Sequence, residues 1–237
     1  MSTHGKKYEK AREALKTDIL PIKDALSKVK ELSFAKFDES VDIHINLGID
    51  SSKPEQSVRG SVVLPHGTGK PVKVLVFAKG EYAEKALKAG ADFVGANDLI
   101  EKISGGWLDF NYVVATPDMM GPVGKLAKIL GPKGLLPNVK TGTVTFDVGV
   151  IVSELKKGRA FFKNNKQGLI NFSVGRVSFD ANKLYDNFVA FIKNLIASKP
   201  ASAKGQFVKK ITVSSSMGPG IQINLDEIQR LWIIEVY

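Results

Sequence analysis

Residues 72–77 read VKVLVF and residues 41–47 read VDIHINL. The first is a nearly unbroken apolar run, which suits a strand covered on both faces. The second alternates Val41, Ile43, Ile45 and Leu47 with Asp42, His44 and Asn46. That alternation makes a strand with one buried face and one polar face. The chain therefore holds two kinds of sheet.

Around residues 72–77 the pattern is that of strand-helix alternation. A helix is expected over 82–89, closed by Gly90, then a short strand over 91–94 and a helix containing 99–103. Tyr112 to Ala115 reads as a strand, Val144 to Phe146 as a short extended piece, and Val150 to Lys157 as a helix ending at Gly158. Such alternation implies a parallel sheet.

On either side the style differs. Lys6 to Lys16 reads as a short basic helix or arm. Ile22, Ala25, Leu26 and Val29 recur at helical spacing within 21–32, with Pro21 at the first helical position. Residues 58–64 read as a strand. Residues 159–163 and 169–174 read as two strands around the turn 164–168, hence as a hairpin. Leu184, Phe188, Phe191, Ile192 and Leu195 mark a long amphipathic helix between Asp180 and Pro200, followed by strands at 207–213 and 221–223.

The expected fold is mixed α+β and α/β in two domains. A discontinuous antiparallel α+β domain takes residues 1–67 and 159–237. A parallel-sheet, Rossmann-like α/β domain, residues 68–158, is inserted into it. The crossings at Gly67 and Gly158 form a candidate hinge, because glycine tolerates large backbone changes.

The 237 residues are 43% hydrophobic, enough for a sizeable core, and 34 Lys+Arg against 24 Asp+Glu give +10. That excess favours a polyanionic partner, nucleic acid or an anionic membrane, over simple solubility. No cysteine is present, which excludes disulfides, thiolate catalysis and cysteine-based zinc sites. The start, MSTHGKKYEKAREALK, has no apolar stretch of the secretory type, and no run is long enough to span a membrane. A soluble intracellular protein without a membrane partner is expected.

Chemistry-bearing motifs are missing. HGTGK at 66–70 has Leu64 where a phosphate loop needs its first glycine and Pro71 where it needs Ser or Thr. GPVGK at 121–125 fails likewise, with Met119 in the first place. No dinucleotide fingerprint follows 72–77. His4, His44 and His66 are scattered, which argues against a metal site, and His44 reads as a solvated residue. Asp38 and Glu39 read as a solvated loop rather than an acid pair. An α/β enzyme built on 68–158 has only fold-level analogy behind it.

Three stretches instead suit contact with a polyanion. GPVGKLAKILGPKGLLPN, 121–138, holds a helical core of Val123, Leu126, Ala127 and Leu130 ended by Gly131-Pro132, with lysines and bare glycines around it. VSSSMGPG, 213–220, is a tight turn whose hydroxyls and amides can meet phosphate and ribose, or a plain hairpin turn. Lys36-Phe37 is either an aromatic platform beside a cation or a core phenylalanine.

HGKKY at 4–8, AKFDESVDIHINLGID at 35–50, SVRGSVVLPHGTGK at 57–70, the long stretch 113–144, KKGRAFFKNNKQG at 156–168 and SSSMGPG at 214–220 together resemble the family of large-subunit ribosomal protein one, most closely its bacterial branch. The resemblance implies a non-enzymatic, cofactor-free protein, monomeric when free and cytoplasmic within the large ribosomal subunit. Its discontinuous domain would bind large-subunit ribosomal RNA at the mobile stalk. It further implies help in releasing deacylated tRNA from the exit site, and repression of its own operon through the mRNA leader. Carried over, the RNA-binding residues are Lys36, Phe37, Ser216, Met217 and Gly218, with Pro219, Lys163 and Lys166 beside them. This chain has Ser214 to Ser216 where family members often carry threonine, and its tail, 224–237, is longer and more apolar than usual.

Overall fold

The computed structural model describes residues 5–15, 19–50, 53–203 and 205–228. His4, Lys16 and most of the apolar tail lie outside the described residues. The chain divides into two compact units, Met1–Gly69 with Phe161–Tyr237, and Lys70–Ala160.

The first unit opens with helix α1 (Lys6–Glu13), strand β1 (Ile19–Leu20) and helix α2 (Ile22–Glu31). Pro21 is the N-cap of α2 and not its first residue. Strands β2 (Ser40–Leu47) and β3 (Arg59–Val63) follow. After the second unit come β7 (Arg159–Lys163), β8 (Leu169–Arg176), α8 (Ala181–Ala197), β9 (Val208–Ser215) and β10 (Ile221–Ile223).

Strand β2 lies between β8 and β9 in a sheet ordered β1-β10-β9-β2-β8. Its alternation works as the sequence implies. Val41, Ile43, Ile45 and Leu47 are buried, while Asp42, His44 and Asn46 occupy the other face. Over this side of the sheet α2 packs on β9, β10 and α8, and α8 packs on β8 and β3, with Ala25, Leu26 and Val29 of α2 and Phe188, Phe191 and Leu195 of α8 all buried. Phe172 stacks on Phe191 at 4.0 Å between ring centres, and Phe162 meets Phe191 edge-on at 5.4 Å. Each such buried side chain contributes about 1.5–3 kcal/mol.

Two expectations for this unit are corrected. Strands β7 and β8 do not form a hairpin: β7 pairs with β3 in a separate two-stranded sheet, and β8 pairs with β2. Asn164 is the cause. Its buried carboxamide oxygen accepts from Val58 N at 2.9 Å, and its own N–H donates to Val58 O. The chain is thereby held to the start of β3 before it turns. The sheet is also not wholly antiparallel, because β1 runs parallel to β10. The tail begins as an extension of this edge. Asn224 N donates to Leu20 O, residues 225–228 are helical, Glu227 Oε2 accepts from Ile22 N, and Ile228 is buried.

The second unit contains β4 (Val74–Phe77), α3 (Glu81–Lys88), β5 (Phe93–Gly95), α4 (Asn97–Ser104) and β6 (Tyr112–Ala115). It continues with α5 (Met120–Gly124), α6 (Ala127–Leu130) and α7 (Val148–Lys157). The sheet is parallel, ordered β5-β4-β6. All four residues of β4 are 0% exposed, which is why its sequence does not alternate. Leu75 and Phe77 join Leu99, Ile103, Val123, Leu126 and Leu130 in one apolar cluster. The helical core expected around Val123, Leu126, Ala127 and Leu130 is split into two short helices, interrupted at Lys125-Leu126, but its apolar spacing still seats Val123, Leu126 and Leu130 inside.

Gly67 and Gly158 both have positive φ, 64° and 111°, and Gly158 caps α7 in the left-handed conformation. A side chain would strain either position.

Candidate nucleic-acid interface

The turn after β9 and the loop before β2 lie side by side because β9 and β2 are neighbours. Val41 is opposite Ser215, and Ser216 N donates to Ser40 O at 3.1 Å. The loop carries Lys36 and Phe37, and the turn carries Ser216, Met217 and Gly218. Phe37 is 58% exposed and Met217 54%, although both are large and apolar. The reading of Phe37 as a core residue is thus set aside. Lys36 and Ser216 are exposed and Gly218 is half-buried.

A buried carboxylate ties the two segments together. Glu39 is 2% exposed and not solvated, contrary to expectation. Its Oε1 accepts from the amides of Phe34 at 3.2 Å and Ala35 at 2.8 Å, and its Oε2 accepts from the amide of Met217 at 3.0 Å. The Ser215 hydroxyl also bonds to it. Burial raises the pKa of this carboxyl, but the bonds from Ser215, Ala35, Met217 and Phe34 outweigh it and hold Glu39 below its ordinary value. The charged form is favoured, and with it the shape of both segments.

The serines of the turn are mostly turned inward. Ser215 Oγ accepts from Gly218 N at 3.1 Å, and Ser216 Oγ accepts from Ser40 N at 3.1 Å. Ser214 Oγ bonds His44 Nε2 at 3.2 Å. The hydroxyls thus shape the turn, and the backbone and Met217 present it. Gly218 has its own steric reason, since a Cβ there would sit 2.5 Å from Ser215 Oγ. Pro219 is buried, so it supports the turn without facing a partner. Asp38 anchors the other flank. Its side chain accepts from Ser178 N and Oγ, and its carbonyl accepts from Arg176 Nη1 at 2.6 Å.

Lys163 and Lys166 are exposed but stand at the opposite end of β2. Their loop closes on that end through Leu47 N donating to Gly168 O at 3.0 Å. From Ser40 to Leu47 the strand runs roughly 20 Å at ~3.3 Å per residue. The structure therefore does not bring these lysines to Phe37 and Met217. Between the two ends lies the polar face of the sheet. His44, read from sequence as simply solvated, is bonded there on both sides. Its Nδ1 meets Asn171 Oδ1 at 3.0 Å and its Nε2 meets the Ser214 hydroxyl.

Sequence reasoning missed α1 as part of this site. An open groove of about 620 Å³ is lined by Lys6, Lys7 and Tyr8 of α1 together with Phe34, Ser216 and Met217. Lys6 and Lys7 are exposed and stand beside the methionine turn. The basic pair in HGKKY was the available signal, but a helix at one end of the chain and a turn near the other share no local pattern. Two lysines from α1, Lys36, exposed Phe37 and exposed Met217 form a cationic surface with apolar contact points. Such a surface suits RNA phosphates and sugars, and a rigid turn can match a folded RNA by shape.

Compared with known families, residues 29–219 match the model described as ribosomal protein L1p/L10e family.

Proposed function

Because this chain belongs to the ribosomal protein L1p/L10e family, and so is a ribosomal protein that binds ribosomal RNA in a structural and not an enzymatic role, we propose that it holds that RNA through the paired segments tied by Glu39. Lys36 and Phe37 form one jaw, and Ser216, Met217 and Gly218 form the other. Lys6 and Lys7 add charge at the rim. Lys163 and Lys166 make a separate, outlying contact. The observation that carries this reading is the buried Glu39, which bonds amides of both segments and leaves Phe37 and Met217 outside.

Recognition is by shape. Folded RNA offers phosphates and ribose hydroxyls to a rigid, low-profile turn, while lysines supply steering and salt-dependent affinity. The RNA is that of the mobile stalk of the large subunit in the cytoplasm. There the protein assists the departure of deacylated tRNA from the exit site. When free, as a monomer, it uses the same jaws on the leader of its own mRNA and represses its operon. The division of labour follows the domains, with 1–67 and 159–237 carrying the RNA site and 68–158 inserted. Gly67 and Gly158 serve as the points at which the backbone can change direction.

The test is filter binding of the full chain to a stalk fragment of large-subunit ribosomal RNA. Phe37→Glu and Met217→Asp should each weaken binding more than about tenfold, ~1.4 kcal/mol. Wild-type affinity in both variants would defeat the assignment of the jaws. For the finer roles, a reporter carrying the operon leader should lose repression with the same two variants.

A further inference from the structure

The stretch 120–134 of the second unit has no part in the reading above. Val123, Leu126 and Leu130 are buried in the apolar cluster of that unit. Gly121, Lys125, Lys128 and Pro132 are spaced by four, three and four along the same near-helical path, on its opposite side, and all are exposed or half-exposed glycine, lysine and proline.

Two independent features of this face are unexplained by folding. The first is its charge. The side chains of Lys125, Lys128 and Lys133 are exposed and make no ion pair or hydrogen bond among the described residues. Two other lysines of the same unit do have carboxylate partners, Lys73 with Asp109 at 2.5 Å and Lys156 with Asp92 at 2.6 Å, and what sets this face apart is its stretch of sequence without acids. Between Asp118 and Asp147 there is no carboxylate at all. The second feature is bare backbone. A Cβ at Gly121 or Gly124 would meet nothing within 4 Å, and neither residue has a positive φ. Neither packing nor turn geometry requires glycine at these two positions, whereas Gly134 has φ 71° and does need it. At Gly121 and Gly124 the missing side chain matters only to something approaching from outside.

We propose that Gly121, Gly124, Lys125 and Lys128, with Lys133 beyond them, form a second surface of this protein that contacts the phosphate backbone of large-subunit ribosomal RNA. The occupant is chosen on charge complementarity and on the polyanion that the family already binds. The contact is sequence-independent, because lysine on phosphate carries no base information. It rests on the reading of the chain as a ribosomal RNA-binding protein, but not on the jaws of the first unit.

The experiment uses the full chain and in vitro transcribed large-subunit ribosomal RNA, with binding measured across a salt series. The combined variant Lys125→Gln, Lys128→Gln, Lys133→Gln should lower the slope of log affinity against log salt by about 2. It should also weaken binding about tenfold at low salt. Gly121→Leu, checked by thermal unfolding to be as stable as the parent, should weaken binding at least threefold by holding the RNA away. An unchanged slope and affinity in the triple lysine variant would overturn the proposal. So would a loss confined to free tRNA or to an acidic protein with ribosomal RNA binding intact. Failure of the jaws has a different signature: Phe37→Glu and Met217→Asp then bind as the parent does, while the lysine variant still shows its loss.

Discussion

The paired segments around Glu39 and the bare face at 120–134 are both exposed and both basic, yet they are built in opposite ways. In the first, nearly every polar group is committed: Glu39 to three amides and a serine, Ser216 to Ser40, Asp38 to Ser178 and Arg176. In the second, three lysines and two glycines have no internal task. A site fixed by internal bonds can read shape, because its own geometry costs nothing to arrange at the moment of binding. A site of free lysines reads only charge and tolerates many arrangements. The difference also predicts how each region responds to mutation: the first couples binding to stability, and the second does not.

The largest expected effect therefore follows from removing Glu39. Glu39→Ala leaves the amides of Phe34, Ala35 and Met217 without their acceptor, in a place that is nearly closed to water. A cost of about 3 kcal/mol is expected in urea unfolding, since each stranded buried group costs ~1–3 kcal/mol. Ribosomal RNA affinity should fall more than tenfold as well, although the carboxylate faces inward. The triple lysine variant should by contrast unfold within about 0.5 kcal/mol of the parent, as exposed substitutions do. Equal stability losses in the two variants would erase the contrast.

Acid offers a gentler version of the same test. The Glu39 pKa is lowered in the folded protein, from an ordinary value of 4.5. Its stabilisation is therefore complete above that value and is lost as pH falls through the lower, folded one. Glu39→Gln should be less stable than the parent at neutral pH, and the gap should close as pH drops below about 4.5. Asp92 gives the second unit its own acid-sensitive contact. Burial raises its pKa, but bonds from Lys156 and from Val74 N more than compensate and hold it below the ordinary 3.8. Asp92→Asn should thus leave the acid response of the Glu39 region intact. A gap between Glu39→Gln and the parent that stays constant with pH would mean that the carboxylate charge is not what joins the segments.

Most of the fold was legible because burial writes a period into sequence. The alternation in β2, the solid apolar run of β4 and the helical stripe of α2 each name the face that the structure buries. Phe37 and Met217 were legible as candidates by their company, a lysine and a serine-glycine turn, and by the family resemblance of the stretches that hold them. Their exposure could not be read, since an aromatic beside a strand belongs as often to a core. Glu39 was not legible at all. Its partners are backbone amides, which every residue carries, and only the folded path of the chain gathers three of them around one carboxylate. The error over β7 and β8 has a similar origin. Asn164 looks like a turn residue, but its carboxamide oxygen accepts from Val58 N, more than a hundred residues away. Strand β1, two residues long, is too short to show any period.

The smallest expected effect separates two uses of glycine. At Gly48, beside the end of β2, a Cβ would lie 2.2 Å from the Gln206 carbonyl oxygen, which belongs to backbone already bonded through Gly48 N to Phe207 O at 2.7 Å. Neither atom can yield without breaking the ladder to β9, so Gly48→Ala should destabilise by about 2 kcal/mol, in the range of overpacked sites. At Gly124 the same added methyl group meets open space at the end of a short helix. Alanine loses less backbone freedom than glycine on entering a helix, by at most ~1 kcal/mol. Gly124→Ala should then leave stability unchanged or raise it by a few tenths of a kcal/mol, about a degree or less in thermal midpoint. A clear destabilisation by Gly124→Ala would mean that this glycine serves folding after all. The bare face would then be a packing feature, and the distinction between a region shaped from within and one left open to a partner would no longer hold.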